Sequence, residues 1–485
     1  MTLRSGWPVL LNYRGSGTGS EGTGEKGWRG SSLHKTLPRP LPLTLAPLLL
    51  ILLLLALVPA RDAAGAERTL SLTEAYRLAL MNNENVRIAD EGVSQAEATM
   101  DKAISTILPR FTAESRYTRY NEKKTSGSFV TQPDEAAGVD LRLTQPIYTG
   151  GIEWSARRQA RLLIEKTSVG VNYVREAVIL KTARAYFWVL KAGKGLEIKK
   201  AALKRADERK KVASARFRVG DVTRAAVLRA EAEAAGAEAA LIRAESALRD
   251  SKAALKRVLG VAEELDGVEF IEPEISPQEN RTLDDVIRNA YEKRLDYRQS
   301  VLGERIAEEG IVFARGNFLP SLKLEGLYSW KDQDPETTFF QKESASATLT
   351  LTYPIFEGGL RKAELDEARS RLREAELRKI GVKRDIEVEV REAFNNMESV
   401  KAEIESYRKQ LSFAEEDYKM VFEQFKYGLS TTLDTIDADS TFISAQSSLS
   451  NALYDLQLSL IELKWRAGTL LEDSSLGLGQ QREGR

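Results

Sequence analysis

Leu143-Thr144-Gln145-Pro146-Ile147-Tyr148-Thr149-Gly150-Gly151 returns 208 residues later as Leu351-Thr352-Tyr353-Pro354-Ile355-Phe356-Glu357-Gly358-Gly359. Phe217-Arg218-Val219-Gly220 keeps the same offset to Phe425-Lys426-Tyr427-Gly428, as does Leu259-Gly260 to Ala467-Gly468. Nearer the start the offset becomes 211: Leu72-Thr73-Glu74 matches Leu283-Asp284-Asp285, and Leu108-Pro109 matches Leu319-Pro320. Self-similarity at a fixed period means that one supersecondary unit is used twice. The chain divides accordingly into a first repeat at 67–260, a linker at 261–280 containing Glu272-Pro273-Glu274-Ile275-Ser276-Pro277, a second repeat at 281–468, and a tail at 469–485 expected to be flexible.

Working outward from the Gly-Gly pairs, no proline follows Ile147 until Pro273, and none follows Ile355. These stretches are rich in Ala, Leu, Glu, Lys and Arg, which favour long helices. Gly359 to Tyr427 spans 69 residues, roughly 100 Å at the α-helical rise. After Gly428, Phe442, Leu449, Leu456 and Leu463 form one heptad row, with Leu453, Leu460 and Ala467 as a second. Ala234, Leu241, Leu248 and Leu255 repeat the pattern in the first half. An apolar period of 3.5 predicts a coiled-coil seam. Each repeat thus ends in a long helical hairpin with Gly220 or Gly428 at its tip, where a sharp reversal favours glycine.

Upstream of each Gly-Gly pair the period changes to two. Phe111, Ala113, Ser115 and Tyr117 alternate with polar residues, as do Val139, Leu141 and Leu143. The second repeat offers Leu322, Leu324, Gly326, Tyr328 and Trp330, then Ala345, Ala347, Leu349, Leu351 and Tyr353. Such segments suit membrane-barrel strands and half-buried soluble strands equally. Four strands cannot close a membrane barrel, so a spanning role requires several chains. Pro146 and Pro354 are expected to end the ladders, with Gly150, Gly151, Gly358 and Gly359 forming the strand-to-helix turns. Tyr117, Tyr120, Phe129, Tyr328, Trp330, Phe339 and Phe340 cluster around the strands and their loops, as interfacial girdles or as packing under a sheet.

The N-terminal 66 residues read as a signal peptide with an over-extension at its start: basic residues precede the apolar run Leu48–Leu55, and Ala64-Gly65-Ala66 closes it. A membrane anchor is the other reading of that run. Residues 1–66 hold seven of the 71 basic and three of the 71 acidic side chains, leaving 64 and 68. This balance argues against nucleic-acid binding. The chain has no Cys, and its one His, His34, precedes the expected cleavage point. Ser-His-Asp and Cys-His catalysis, disulfides and zinc sites with nitrogen or sulfur ligands are therefore excluded from the mature chain.

Over essentially all of the mature chain, the duplicated plan and its paired motifs resemble the TolC-like outer-membrane efflux protein family. The motifs are Leu-x-Gln-Pro-Ile-Tyr-x-Gly-Gly at 143–151, its partner ending at Gly359, and the tip segment Phe425-Lys426-Tyr427-Gly428-Leu429-Ser430-Thr431-Thr432-Leu433-Asp434. The resemblance implies a mainly α fold with a small β part, four strands per chain, and a homotrimer forming a 12-stranded outer-membrane β-barrel continued by a periplasmic α-barrel. It further implies a passive exit duct, not an enzyme, without cofactor or metal. The implied partners are a periplasmic adaptor (membrane fusion protein), an inner-membrane pump and outer-membrane lipid. Gly220, Gly428, Thr223 and Thr431 would meet the adaptor. Asp434 and Asp437, three apart and so facing the same way on a helix, would form the acidic pore gate. Ala225 and Ala226 stand where the second repeat has Leu433 and Asp434, so the first tip lacks the matching acid. Two alternatives remain at this stage. A soluble periplasmic coiled-coil adaptor or spacer would use the same hairpins, and an exported carboxylate-dependent hydrolase would use the same paired acids.

Overall fold

A computed structural model of the chain describes residues 68–273 and 282–472. The expected signal segment, linker positions Glu274 to Pro277 and the tail beyond 472 lie outside the described residues. In chain order the elements are β1 (Arg68–Leu70), α1 (Leu72–Asn82), α2 (Glu84–Ser105), β2 (Arg110–Arg119), β3 (Lys124–Ser126), β4 (Phe129–Gln132), β5 (Glu135–Thr149), α3 (Ile152–Arg218) and α4 (Arg224–Leu259). After β6 (Val268–Phe270) come α5 (Leu283–Lys293), α6 (Leu295–Gly316), β7 (Ser321–Asp334), β8 (Glu343–Thr352), α7 (Leu360–Lys426) and α8 (Thr432–Arg466).

The duplication is visible in the local chemistry. Ser71 caps α1 by accepting from the Glu74 N–H at 3.2 Å, and Thr282 caps α5 by accepting from the Asp285 N–H at 3.3 Å. A hydroxyl at this position satisfies one of the orphan donors of a helix start. Both long helices, α3 and α7, contain 67 residues, about 100 Å each. Helices α2, α3, α6 and α7 lie side by side in that order, while α4 returns along α3 and α8 along α7. Of the proposed seam positions Ala234, Leu255, Phe442, Leu460 and Ala467 are buried, whereas Leu453 remains exposed in the single chain.

The main core surrounds Tyr76, Tyr186, Phe187, Leu255, Leu259, Ile461 and Leu470, all at most 1% exposed. The Tyr186 hydroxyl lies 2.7 Å from the carbonyl oxygens of both Leu70 and Ile271, pinning the parallel β1–β6 pair against α3. Within the linker, Val268–Phe270 is therefore an ordered strand. Leu470, at the start of the expected flexible tail, is packed into this core through a short 3-10 turn.

A four-stranded antiparallel sheet has the order β2-β5-β7-β8. Its central pair, β5 with β7, joins the two repeats. One register row reads Phe111, Leu143, Gly326, Ala347, and the row beyond it Ala113, Leu141, Tyr328, Ala345. The intervening rows hold residues such as Thr112, Arg142 and Ser346, or Arg110, Thr144, Glu325 and Thr348. The four strands thus turn most apolar residues to one face and most polar residues to the other, Leu327 beside Arg142 being an exception. Phe111, Leu349 and Leu351 on the apolar face are 63–67% exposed. A half-buried soluble sheet would need this face covered, and none of the described residues covers it. The ladders of β2 and β8 are open at their outer edges, which leaves the sheet unfinished within one chain. No described helix is long and apolar enough to cross a membrane.

Pro146 corrects an expectation: it does not end its ladder. It pairs with Lys323 inside β5, followed by a bulge before Tyr148 pairs with Leu322. A bulge accommodates the missing N–H. Pro354 does lie beyond the end of its strand. At the turns Gly150, Gly151, Gly358 and Gly359 all have positive φ. Gly150 is also a close approach, since a Cβ there would lie 2.2 Å from the Gly316 carbonyl oxygen.

Candidate functional site

The far ends of the two hairpins meet. Gly220 and Gly428 have φ of +80° and +81°, and in each case the next N–H bonds back to a carbonyl five residues earlier, Asp221 to Arg216 at 2.9 Å and Leu429 to Gln424 at 2.9 Å. This is the Schellman closure of a helix, which requires a left-handed residue at its centre. A cleft of about 460 Å³ lies between the tips and is lined by Thr223, Gly428, Thr431 and Asp434 together with Arg216 and Asp221. Four of the sequence-derived tip residues are therefore brought together. The Gly-Gly turns lie at the opposite ends of α3 and α7, a helix length away.

Thr223 and Thr431 are both N-caps but behave differently. The Thr223 side chain makes no capping hydrogen bond. Thr431 accepts from the Asp434 N–H at 3.2 Å, while Asp434 Oδ2 accepts from the Thr431 N–H at 2.8 Å and its hydroxyl at 2.7 Å. This reciprocal pair is a capping box. The backbone bond from Thr431, then its hydroxyl, hold the Asp434 carboxyl below its ordinary value of 3.8. Asp434 and Asp437 are both exposed, whereas Thr432, Thr435, Ala438 and Asp439 are buried on α8. None of the described residues covers the paired acids.

Sequence reasoning missed the groups that tie the hairpins together. Arg216 on α3 donates through Nε to Asp221 at 2.7 Å and through Nη1 to the Phe425 carbonyl at the end of α7 at 2.8 Å, with its guanidinium 5.1 Å from the Phe425 ring centre. Deeper in, Arg209 is fully buried. It donates to both carboxylate oxygens of Glu233 on α4 and, at 2.7 Å, to Asp439 on α8. The other Asp439 oxygen accepts from Arg205 Nε at 2.6 Å. Arg205 lies over the rings of Tyr418 and Phe442, which stack on each other at 8°. Burial opposes the charge on Arg209, but the Glu233 hydrogen bond and the two carboxylates outweigh it and raise its pKa. One signal for this cluster was present in the sequence. Two heptads back from Leu453, the apolar row lands on Asp439, and a polar residue in a seam specifies how helices pair.

Comparison with known proteins places this geometry. The sequence profile described as outer membrane efflux protein matches residues 75–261 and 286–469. The chain is 24% identical over 427 residues to outer membrane protein TolC of Escherichia coli (strain K12), covering 84% of each. It is 23% identical over 417 residues to alkaline protease secretion protein AprF of Pseudomonas aeruginosa, covering 83% of this chain and 85% of that one. The solved Campylobacter jejuni CmeC outer membrane channel superposes with a TM-score of 0.72 at 20% identity, over 82% of this chain and 86% of that one.

Proposed function

The chain belongs to the outer membrane efflux protein family, and from that premise we propose how its hairpin tips control an exit duct. The protein is a channel of the outer membrane that extends into the periplasm and serves efflux and secretion; it is not an enzyme. Three copies of the four-stranded sheet complete a twelve-stranded barrel, with the apolar face towards lipid and the polar face towards the lumen. The observation that carries this is the uncovered apolar face of a sheet with open edges, set at the end of two hairpins whose long arms are 67-residue helices. The soluble spacer would need neither.

At the other end, three copies of Asp434 and Asp437 form a cation-attracting constriction. The capping box supports this by keeping Asp434 ionised and fixed in place. The Arg209–Asp439 and Arg216–Phe425 links hold the two hairpins of one chain together, so each chain moves at the tip as a unit unless these links part. Val219, Tyr427 and Leu429 are 78–80% exposed around Gly220, Thr223, Gly428 and Thr431. This apolar rim is the docking surface for a periplasmic adaptor, and an inner-membrane pump coupled through that adaptor supplies the energy.

Planar-bilayer recording of the purified chain tests the gate. Cation-preferring openings that lose their preference in Asp434→Asn plus Asp437→Asn are expected. Openings whose ion preference is identical in the double variant would remove both aspartates from the gate.

A further inference from the structure

The register of the sheet assigns every charged strand residue to a face. Arg110, Arg116, Arg142, Lys323 and Lys331 share the polar face with Glu114, Asp140 and Glu325. Arg116 pairs with Glu114 at 2.6 Å and Arg142 with Glu325 at 2.5 Å, while Asp140 accepts from the Ser329 hydroxyl. Arg110, Lys323 and Lys331 are exposed and have no carboxylate partner among the described residues. Arg110 and Lys323 lie near the helical end of the sheet, and Lys331 lies towards its loop end.

The helical layer continues this pattern. A groove of about 980 Å³ touches all four helices α2, α3, α6 and α7, including both outer ones, so it occupies the concave side of the curved layer. Its charged lining is Lys102, Lys166, Arg371, Glu374 and Arg378. Arg371 pairs with Glu367 and Arg378 with Glu374, each at 2.5 Å, which leaves Lys102 and Lys166 without a carboxylate partner among the described residues. Among the described residues, polar strand face and concave groove together carry five unpaired cations against one unpaired carboxylate, Asp140. Residues 67–485 as a whole carry 64 basic and 68 acidic side chains. The inner surface therefore has the opposite sign to the chain.

We propose that the barrel and upper helical lumen form a positively charged passage selective for anionic cargo, meaning molecules that bear carboxylate, sulfonate or phosphate groups, in contrast to the acidic tip. The inference rests on reading the polar face and the groove as lumen. Rings of Lys and Arg select anions in pores, and low-dielectric walls focus such a field along the axis. Three copies bring the excess to twelve positive charges within one conduit, where the Debye length of about 8 Å at physiological ionic strength still lets wall charges reach a passing solute.

The test is the reversal potential of the full trimer in a potassium chloride gradient, in a background of Asp434→Asn plus Asp437→Asn that removes the tip charge. The background channel should prefer chloride. Adding Arg110→Gln, Lys323→Gln and Lys331→Gln should shift the reversal potential towards that of potassium, while unitary conductance at high salt, where wall charge is screened, stays equal and shows an intact pore. A potassium-preferring background, or a triple variant whose reversal potential equals that of the background, would overturn the proposal while leaving the duct intact. Membrane-inserted trimers that never conduct would instead overturn the reading of the duct itself.

Discussion

Thr431 and Thr223 follow the two tip glycines at equivalent places, yet only Thr431 closes a capping box, because Asp434 stands where the first repeat has Ala226. Losing a threonine cap costs about 1 kcal/mol. Thr431→Val should therefore speed amide exchange at the start of α8 by about five-fold in a hydrogen-exchange measurement, whereas Thr223→Val should leave the start of α4 nearly unchanged. The pH dependence has a definite sign. Hydrogen bonds from Thr431 lower the folded pKa of Asp434, so its contribution to the tip is complete above its unfolded value near 3.8 and is lost only as pH falls through the lower folded value. Exchange protection at the start of α8 should accordingly persist from neutral pH down past 3.8. The shared exposure of Asp434 and Asp437 at the start of α8 was legible in the sequence from their spacing. Arg205, Arg209 and Glu233 were not, because isolated charges on a charge-rich helix look like a solvated face until a partner helix covers them.

The long helices and the hairpins were legible from proline absence, composition and heptad rows, and the repeat gave the boundaries of one from the other. The ladder through Pro146 was not, since a bulge that absorbs a proline depends on where β7 places Lys323 and Leu322. Between the hairpins, Arg209 and Asp439 are at most 1% exposed. Removing one member of a buried pair typically costs about 3–5 kcal/mol. Asp439→Ala should therefore loosen the tip, seen as faster proteolysis near 220 and 428 and a higher open probability in bilayers. The glycines separate in the same way. Gly150→Ala places a Cβ against the Gly316 carbonyl as well as at positive φ and should abolish assembly, whereas nothing lies within 4 Å of a Cβ at Gly220. Gly220→Ala should cost only the left-handed strain, about 1–2 kcal/mol, and still yield trimers on native gels.

At the scale of the whole molecule, period-two patterning announced four strands but left lipid-facing and soluble sheets equivalent; only the register, the open edges and the exposure of the apolar face separate them. Depth in the bilayer then sets the cost of errors. Leu349→Arg puts a charge on the lipid face and should cost about 2–4 kcal/mol of barrel stability if it lies near the midplane, while Thr348→Arg, on the polar face, should assemble normally. Because the chain has no cysteine, the same two positions give the most direct test of the central claim that three sheets enclose a water-filled lumen. Thr348→Cys and Leu349→Cys trimers would be exposed in bilayers to a water-soluble sulfonate thiol reagent. The account predicts that labelling at 348 lowers single-channel conductance and that 349 is protected by lipid; labelling at 349 that blocks current, with 348 silent, would contradict it.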